Sequence, residues 1–294
     1  VALDADLILD TGLIPFRERF PDRFIECGIA EQDMVSQAGG MALLGMLPVV
    51  HSFACFLSTR PNEQIYNNAT EGTKIVYVGT LAGVVPGGPG HSHQSVRDIS
   101  ALGAMPDMVL VEPCCEVEVA ATVSFCLETN KSSSYIRLTS IPWEVPFELP
   151  VDYRLELGKG VTIAEGSDAV LFAYGPVMLA NAWHARKQLL DEHRISLKII
   201  NMPWLNRVDH AWLADAVSEF PFIFTVDNHY LVGGQGEMLA CALSEIGSTR
   251  AAGVLRMGLT ETPHCGTNDQ VLAEHGLDAK SIAETIAKTT NKPS

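Results

Sequence analysis

Apolar residues along the chain fall into short unbroken runs, separated by longer stretches in which they recur at helical spacing. The runs at 47–53, 74–78, 108–111 and 134–138 are rich in β-forming residues and predict strands of a parallel sheet. Between them, residues 30–44 carry small and apolar side chains on most faces, as a buried helix does, and 116–129 opens with acids suited to a helix N-terminus. The pattern then repeats. Strands are expected at 169–173, 196–200 and 222–226, helices at 177–191, 211–220 and 235–245, and a closing amphipathic helix at 278–287. The fold class is therefore α/β: two consecutive α/β domains, each with a mostly parallel sheet flanked by helices. Pro142, Pro146 and Pro150 punctuate the stretch between the two series, which sets the domains at 1–150 and 151–294.

Composition agrees with two cores in one chain, since 294 residues with 47% hydrophobic content can bury both. The charge narrows the partners. Thirty-five acids against 20 bases give a formal charge of -15, which opposes binding to nucleic acid or to an anionic membrane surface and favours small molecules or proteins. No apolar run approaches the roughly 20 residues that span a bilayer. The first residues lack the basic-then-apolar layout of a signal peptide, so the expected location is cytoplasmic. Seven cysteines without a C-x-x-C pair predict reduced thiols rather than a disulfide framework or a zinc site.

Chemistry concentrates in three places. Glu31 stands at the start of a helix containing Ala38, Gly39, Gly40 and Ala42, a surface that neighbours pack against closely; an acid there either caps the helix or lines an interior cleft. Phe53 and Phe56 follow a strand and suit either core packing or stacking on a flat ring. The segment VPGGPGHSHQ, 85–94, is a Gly- and Pro-rich loop carrying His91 and His93, and imidazole suits proton transfer near neutrality. Gly233, Gly234 and Gly236 ahead of a helix have the look of a phosphate loop, yet read better as a tight strand-to-helix turn.

The ordered motifs ERFPDRFIECGIAEQ (18–32), PVVHSFACF (48–56), GHSHQSVRDISALGAMPDMVLVEP (90–113) and SYIRLTSIP (134–142) resemble the pyrimidine-binding domain of transketolases and 1-deoxyxylulose 5-phosphate synthases. VDNHYLVGGQGEMLACAL (226–243) and HGLDAKSI (275–282) resemble their C-terminal domain, so the likeness covers nearly the whole chain. It implies thiamine diphosphate as cofactor. In that family the carboxylate matching Glu31 hydrogen-bonds the aminopyrimidine and promotes the imino tautomer that deprotonates the thiazolium carbon. Phe53 and Phe56 match the aromatics that hold the ring, with Thr59 where the family often has an aromatic or Arg. His93 matches a histidine that contacts substrate hydroxyls, and His91 is a weaker candidate for the same role. Pro89 replaces an Asp of the sugar-phosphate enzymes, and a further His of the loop is replaced near Gly79. Thr139 or Ser140 falls where a phosphate-gripping Arg is usual, leaving Arg137 as the nearby cation.

The family's diphosphate and Mg²⁺ are held through a G-D-G motif and a following Asn, hard oxygen ligands for the metal. No G-D-G occurs here. The resemblance therefore implies a split transketolase in which two copies of this chain pair with two separate diphosphate-binding chains in a heterotetramer. Within it a two-carbon ketol unit passes from a ketose or ketose phosphate donor to an aldehyde acceptor. The β subunit of a 2-oxoacid decarboxylating enzyme, a subunit that loads a carrier protein, and a non-catalytic relative stay open as alternatives.

Overall fold

A computed structural model describes residues 1–247 and 253–290 and shows two sheets, one from each run of predicted strands. Among these residues the first sheet has six strands, β1 (Ala2–Asp4), β2 (Phe24–Glu26), β3 (Val49–Phe53), β4 (Val76–Thr80), β5 (Val109–Val111) and β6 (Ser134–Arg137). They are all parallel, in the order β2-β1-β3-β4-β6-β5. Every residue of β4, β5 and β6 is buried, which explains why those segments read as continuous runs rather than alternating ones.

The second sheet has five described strands, β7 (Val161–Ala164), β8 (Ala169–Ala173), β9 (Leu197–Asn201), β10 (Ile223–Tyr230) and β11 (Val254–Leu259), in the order β11-β10-β8-β9-β7. Only β7 runs antiparallel to its neighbour. The stretch 138–160 between the two sheets contains neither helix nor strand. Among the described residues no helix is long and apolar enough to cross a membrane.

The two sheets do not bury separate cores. Val76, Val78, Val109 and Ile136 of the first share one apolar cluster with Val170, Phe172, Trp204 and Leu213 of the second. The open edge of β5 is also covered: Glu112 N donates to Pro203 O, and Leu205 N to Leu110 O, both at 2.9 Å. A segment of the second domain thus pairs with an edge that would otherwise expose unsatisfied backbone groups.

Candidate active site

The loops that follow β2, β3 and β4 leave the first sheet at the same end, as the parallel arrangement requires, and their chemistry-bearing residues meet there. After β2 the chain turns through Gly28, at φ +66°, and enters the helix Glu31–Leu43. Its N-cap, Ala30, has no side chain to cap with. Glu31 therefore sits at the positive end of the helix, and it is only 4% exposed. The small residues do what the sequence implied: a Cβ on Gly39 would come within 2.1 Å of Asn68 Oδ1, so the helix Asn62–Thr70 packs directly on that backbone.

Phe53 ends β3 and is buried; one turn on, the half-buried Phe56 lies with its ring centroid 5.7 Å away. His93 stands edge-on to both, 6.1 Å from Phe53 and 5.4 Å from Phe56. Its Nδ1 lies 2.9 Å from Ser92 Oγ. Residues 40 positions apart in sequence thus build one aromatic wall.

Arg60, which the sequence reading missed, joins this wall to the acid. Its guanidinium lies over Phe56, 3.7 Å from the ring centroid, and Nη1 donates to Glu31 Oε1. Arg60 N bonds Phe56 O at 2.9 Å, so the two side chains share a helical face at i, i+4, a spacing that could have identified it. Thr59, the position expected to fill that edge, instead donates its hydroxyl to Cys55 O at 2.6 Å. His91 is exposed and makes none of these ring contacts.

Arg137 is elsewhere. It is 0% exposed, and its guanidinium donates to Asp98, Glu112, Ser95 O and Asn228 O. Burial pulls its pKa down, but Asp98 and Glu112 outweigh burial and hold it well above the ordinary value. The expectation that Arg137 meets substrate does not fit this enclosure; its placement is a tie across the domain seam.

The glycine-rich turn is likewise filled from within. Asp227 accepts hydrogen bonds from Gln235 N and Gly236 N, each at 2.9 Å, at the start of the helix Gln235–Glu245. This carboxylate, its pKa pushed up to about 6 by burial, occupies the place an external anion would take.

The three loops thus bring together a carboxylate, an aromatic wall, an imidazole and a partly exposed cation. That set suits a planar nitrogen heterocycle: the acid can hold a ring nitrogen while the aromatics hold its faces. Among the described residues no cluster of three or more His, Cys, Asp or Glu side chains is arranged to hold a metal ion.

Comparison with known proteins agrees with this division. Residues 1–141 match the transketolase pyrimidine-binding domain, and 158–282 the transketolase C-terminal domain. A protein of Methanocaldococcus jannaschii named as a transketolase C-terminal section is 31% identical over 99% of this chain and 90% of its own length. The 1-deoxy-D-xylulose-5-phosphate synthase of Syntrophotalea carbinolica is 31% identical over 97% of this chain, which spans only 44% of that enzyme. Among solved structures, a split-gene transketolase described as an inactive β4 tetramer superposes with a TM-score of 0.86 at 29% identity, covering 99% of this chain and 91% of that one.

Proposed function

The chain belongs to the transketolase family, and from that premise we propose that it is the β-type half of a split thiamine-diphosphate-dependent transketolase. A separate chain would supply the diphosphate- and Mg²⁺-binding half, and the complex would move a two-carbon ketol unit from a ketose donor to an aldehyde acceptor. The observation that carries this reading is the convergence of Glu31, Phe53, Phe56 and His93 from three loops at one end of the sheet.

The residues fit the cofactor's aminopyrimidine. Glu31 is enclosed with one carboxylate oxygen bound by Arg60, and Oε2 has no hydrogen-bond partner among the described residues. When bound, thiamine diphosphate supplies the nucleophilic carbon that accepts and releases the ketol unit. This chain's residues do the rest. Glu31 holds and shares the proton at a ring nitrogen, Phe53 and Phe56 orient the ring and exclude water, and His93 steers protons at the substrate hydroxyls. In this reading diphosphate and metal fall to a partner chain, which the similarity to a protein named as a transketolase C-terminal section, covered over 90% of its own length, supports. The description of the similar β4 assembly as inactive supports the need for a second kind of chain.

The enclosure of Arg137 favours a second reading of the donor. With that guanidinium committed to the seam, Arg60 is the cation seen at the aromatic wall among the described residues, so a donor without phosphate, or a 2-oxoacid, fits as well as a ketose phosphate. The test is co-expression with a G-D-G-containing partner, then native mass and turnover with thiamine diphosphate, Mg²⁺ and a ketose phosphate. Ketol transfer by the mixture and by neither chain alone is the expected result. A loaded complex that ignores sugar phosphates but consumes a 2-oxoacid moves the assignment to decarboxylation, and failure to form any complex overturns the two-chain reading.

A further inference from the structure

The loop that carries His93 belongs, by its contacts, more to the second domain than to the first. Val84, Val85 and Val96 are buried in a cluster made mostly of second-domain residues, including Leu171, Phe224, Val226 and Val271. Polar anchors follow the loop along its length. Val84 N donates to Asn228 Oδ1 at 2.9 Å, and Gly87 N to Asn268 Oδ1 at 3.0 Å. Tyr230 N donates to Val96 O at 2.9 Å.

Gln94, next to His93 and 5% exposed, ties the loop's two arms together: its Nε2 donates to Val84 O at 2.8 Å and to His264 O of the second domain at 3.0 Å. One residue further on, Ser95 O accepts from Arg137 Nη2, which also bonds Asn228 O, both at 2.9 Å. The approach is close as well as polar, since a Cβ on Gly87 would fall 2.6 Å from Val271 Cγ2 and 2.8 Å from Gly266 O.

We infer that the second domain is the positioning element for His93, acting through Gln94, Asn228, Asn268 and Arg137, although it adds no side chain to the aromatic wall. The backbone on both sides of the imidazole is fixed to the second domain, so the angle at which His93 meets Phe53 and Phe56 is set from there. These four are positioning residues. The inference rests on the reading of His93 as the substrate-facing imidazole and gives the C-terminal domain a role in the chemistry.

The test uses Asn268→Ala, which removes the acceptor for Gly87 N, Asn268→Asp, which keeps an acceptor oxygen, and Gln94→Glu, which sets a carboxylate against two carbonyl oxygens. The first readout is amide hydrogen exchange over 84–97 in the isolated chain, which needs no turnover. Asn268→Ala and Gln94→Glu should speed exchange there about tenfold or more by local opening, with the melting transition of the whole chain retained and Asn268→Asp matching wild type. The second readout is the reconstituted complex, where Asn268→Ala should lower kcat about tenfold or more by misplacing His93, with thiamine diphosphate affinity unchanged and Asn268→Asp restoring the rate. Unchanged exchange in both disruptive variants overturns the inference, as does a loosened loop with full turnover. If wild type forms a loaded complex without ketol transfer, the functional reading fails, and the exchange comparison alone then decides the clamp.

Discussion

Two arginines of this chain each pair with carboxylates, and they differ in what surrounds them. Arg137 is sealed in the domain seam with Asp98, Glu112 and two carbonyl oxygens. Arg60 reaches the enclosed Glu31 from an open side, its own side chain 41% exposed and resting on one aromatic ring. A fully buried guanidinium that gives four of its five N–H groups to enclosed partners fixes geometry; a half-exposed one resting on a ring can give way to what binds there. The same residue type therefore holds the fold in one place and lines the site in the other, and burial decides which.

The largest expected effect breaks the sealed member. Arg137→Met leaves Asp98 and Glu112 enclosed without their cation, and stability should fall by about 3–5 kcal/mol in urea denaturation of the isolated chain. Arg137→Lys should recover only part of that, because one ammonium cannot span two carboxylates and two carbonyls at the guanidinium's geometry. A loss below 1 kcal/mol would mean that the seam is wetter than its geometry indicates.

The next effect falls on activity rather than folding. Glu31→Gln keeps the shape and removes the proton-sharing acid, so turnover of the reconstituted complex should drop about 10²-fold or more, with the melting midpoint little changed. Retained turnover would remove Glu31 from the catalytic role and with it the main support for the proposed chemistry.

The contrast between the two arginines also explains what the sequence could reveal. The strands β4, β5 and β6 were legible because they are buried along their whole length and read as short β-rich runs without alternation. The three-residue strands β1 and β2, and β7 at a sheet edge, carry too short or too mixed a pattern to stand out. The helix Gln235–Glu245 was legible to its last residue, since a glycine turn marks its start. In the site, Glu31, Phe53, Phe56 and His93 were marked by motif. Arg137 was misjudged because a charged residue ending a strand looks the same in sequence whether it faces a cleft or Asp98 and Glu112, which lie 39 and 25 positions away. Arg60 lies one position beyond Thr59, and it is the i, i+4 spacing from Phe56 that marks it.

A titratable ring whose nitrogen is enclosed without a charged partner gives a smaller and pH-dependent version of the comparison. His51 on β3 has its Nδ1 enclosed with no partner among the described residues, and burial lowers its pKa to about 4. The folded state then binds fewer protons than the unfolded chain between about pH 4 and 6.5, so this contribution is full above pH 6.5 and is lost as the pH falls toward 4. Asp227 works in the opposite sense: its pKa is raised to about 6, so its contribution is greatest in acid and is lost as the pH rises through that value. The two are separable by substitution. His51→Leu should flatten the acid limb by about 2 kcal/mol relative to wild type, read from denaturation midpoints across the range; parallel pH profiles would show that the ring protonates freely in the folded chain.

The smallest expected effect falls on the open pair and sharpens the comparison most. The Arg60 side chain is 41% exposed, so Arg60→Met, which keeps apolar contact with Phe56, should cost about 1 kcal/mol or less. Raising the salt from 0.15 M to 1 M shortens the screening length from about 8 Å to about 3 Å, which should erase most of that difference while leaving the Arg137→Met penalty nearly intact. A cost for Arg60→Met as large as that for Arg137→Met, and as indifferent to salt, would place both arginines in the same sealed class. Glu31 would then lie behind a fixed ion pair, closed to a ring nitrogen.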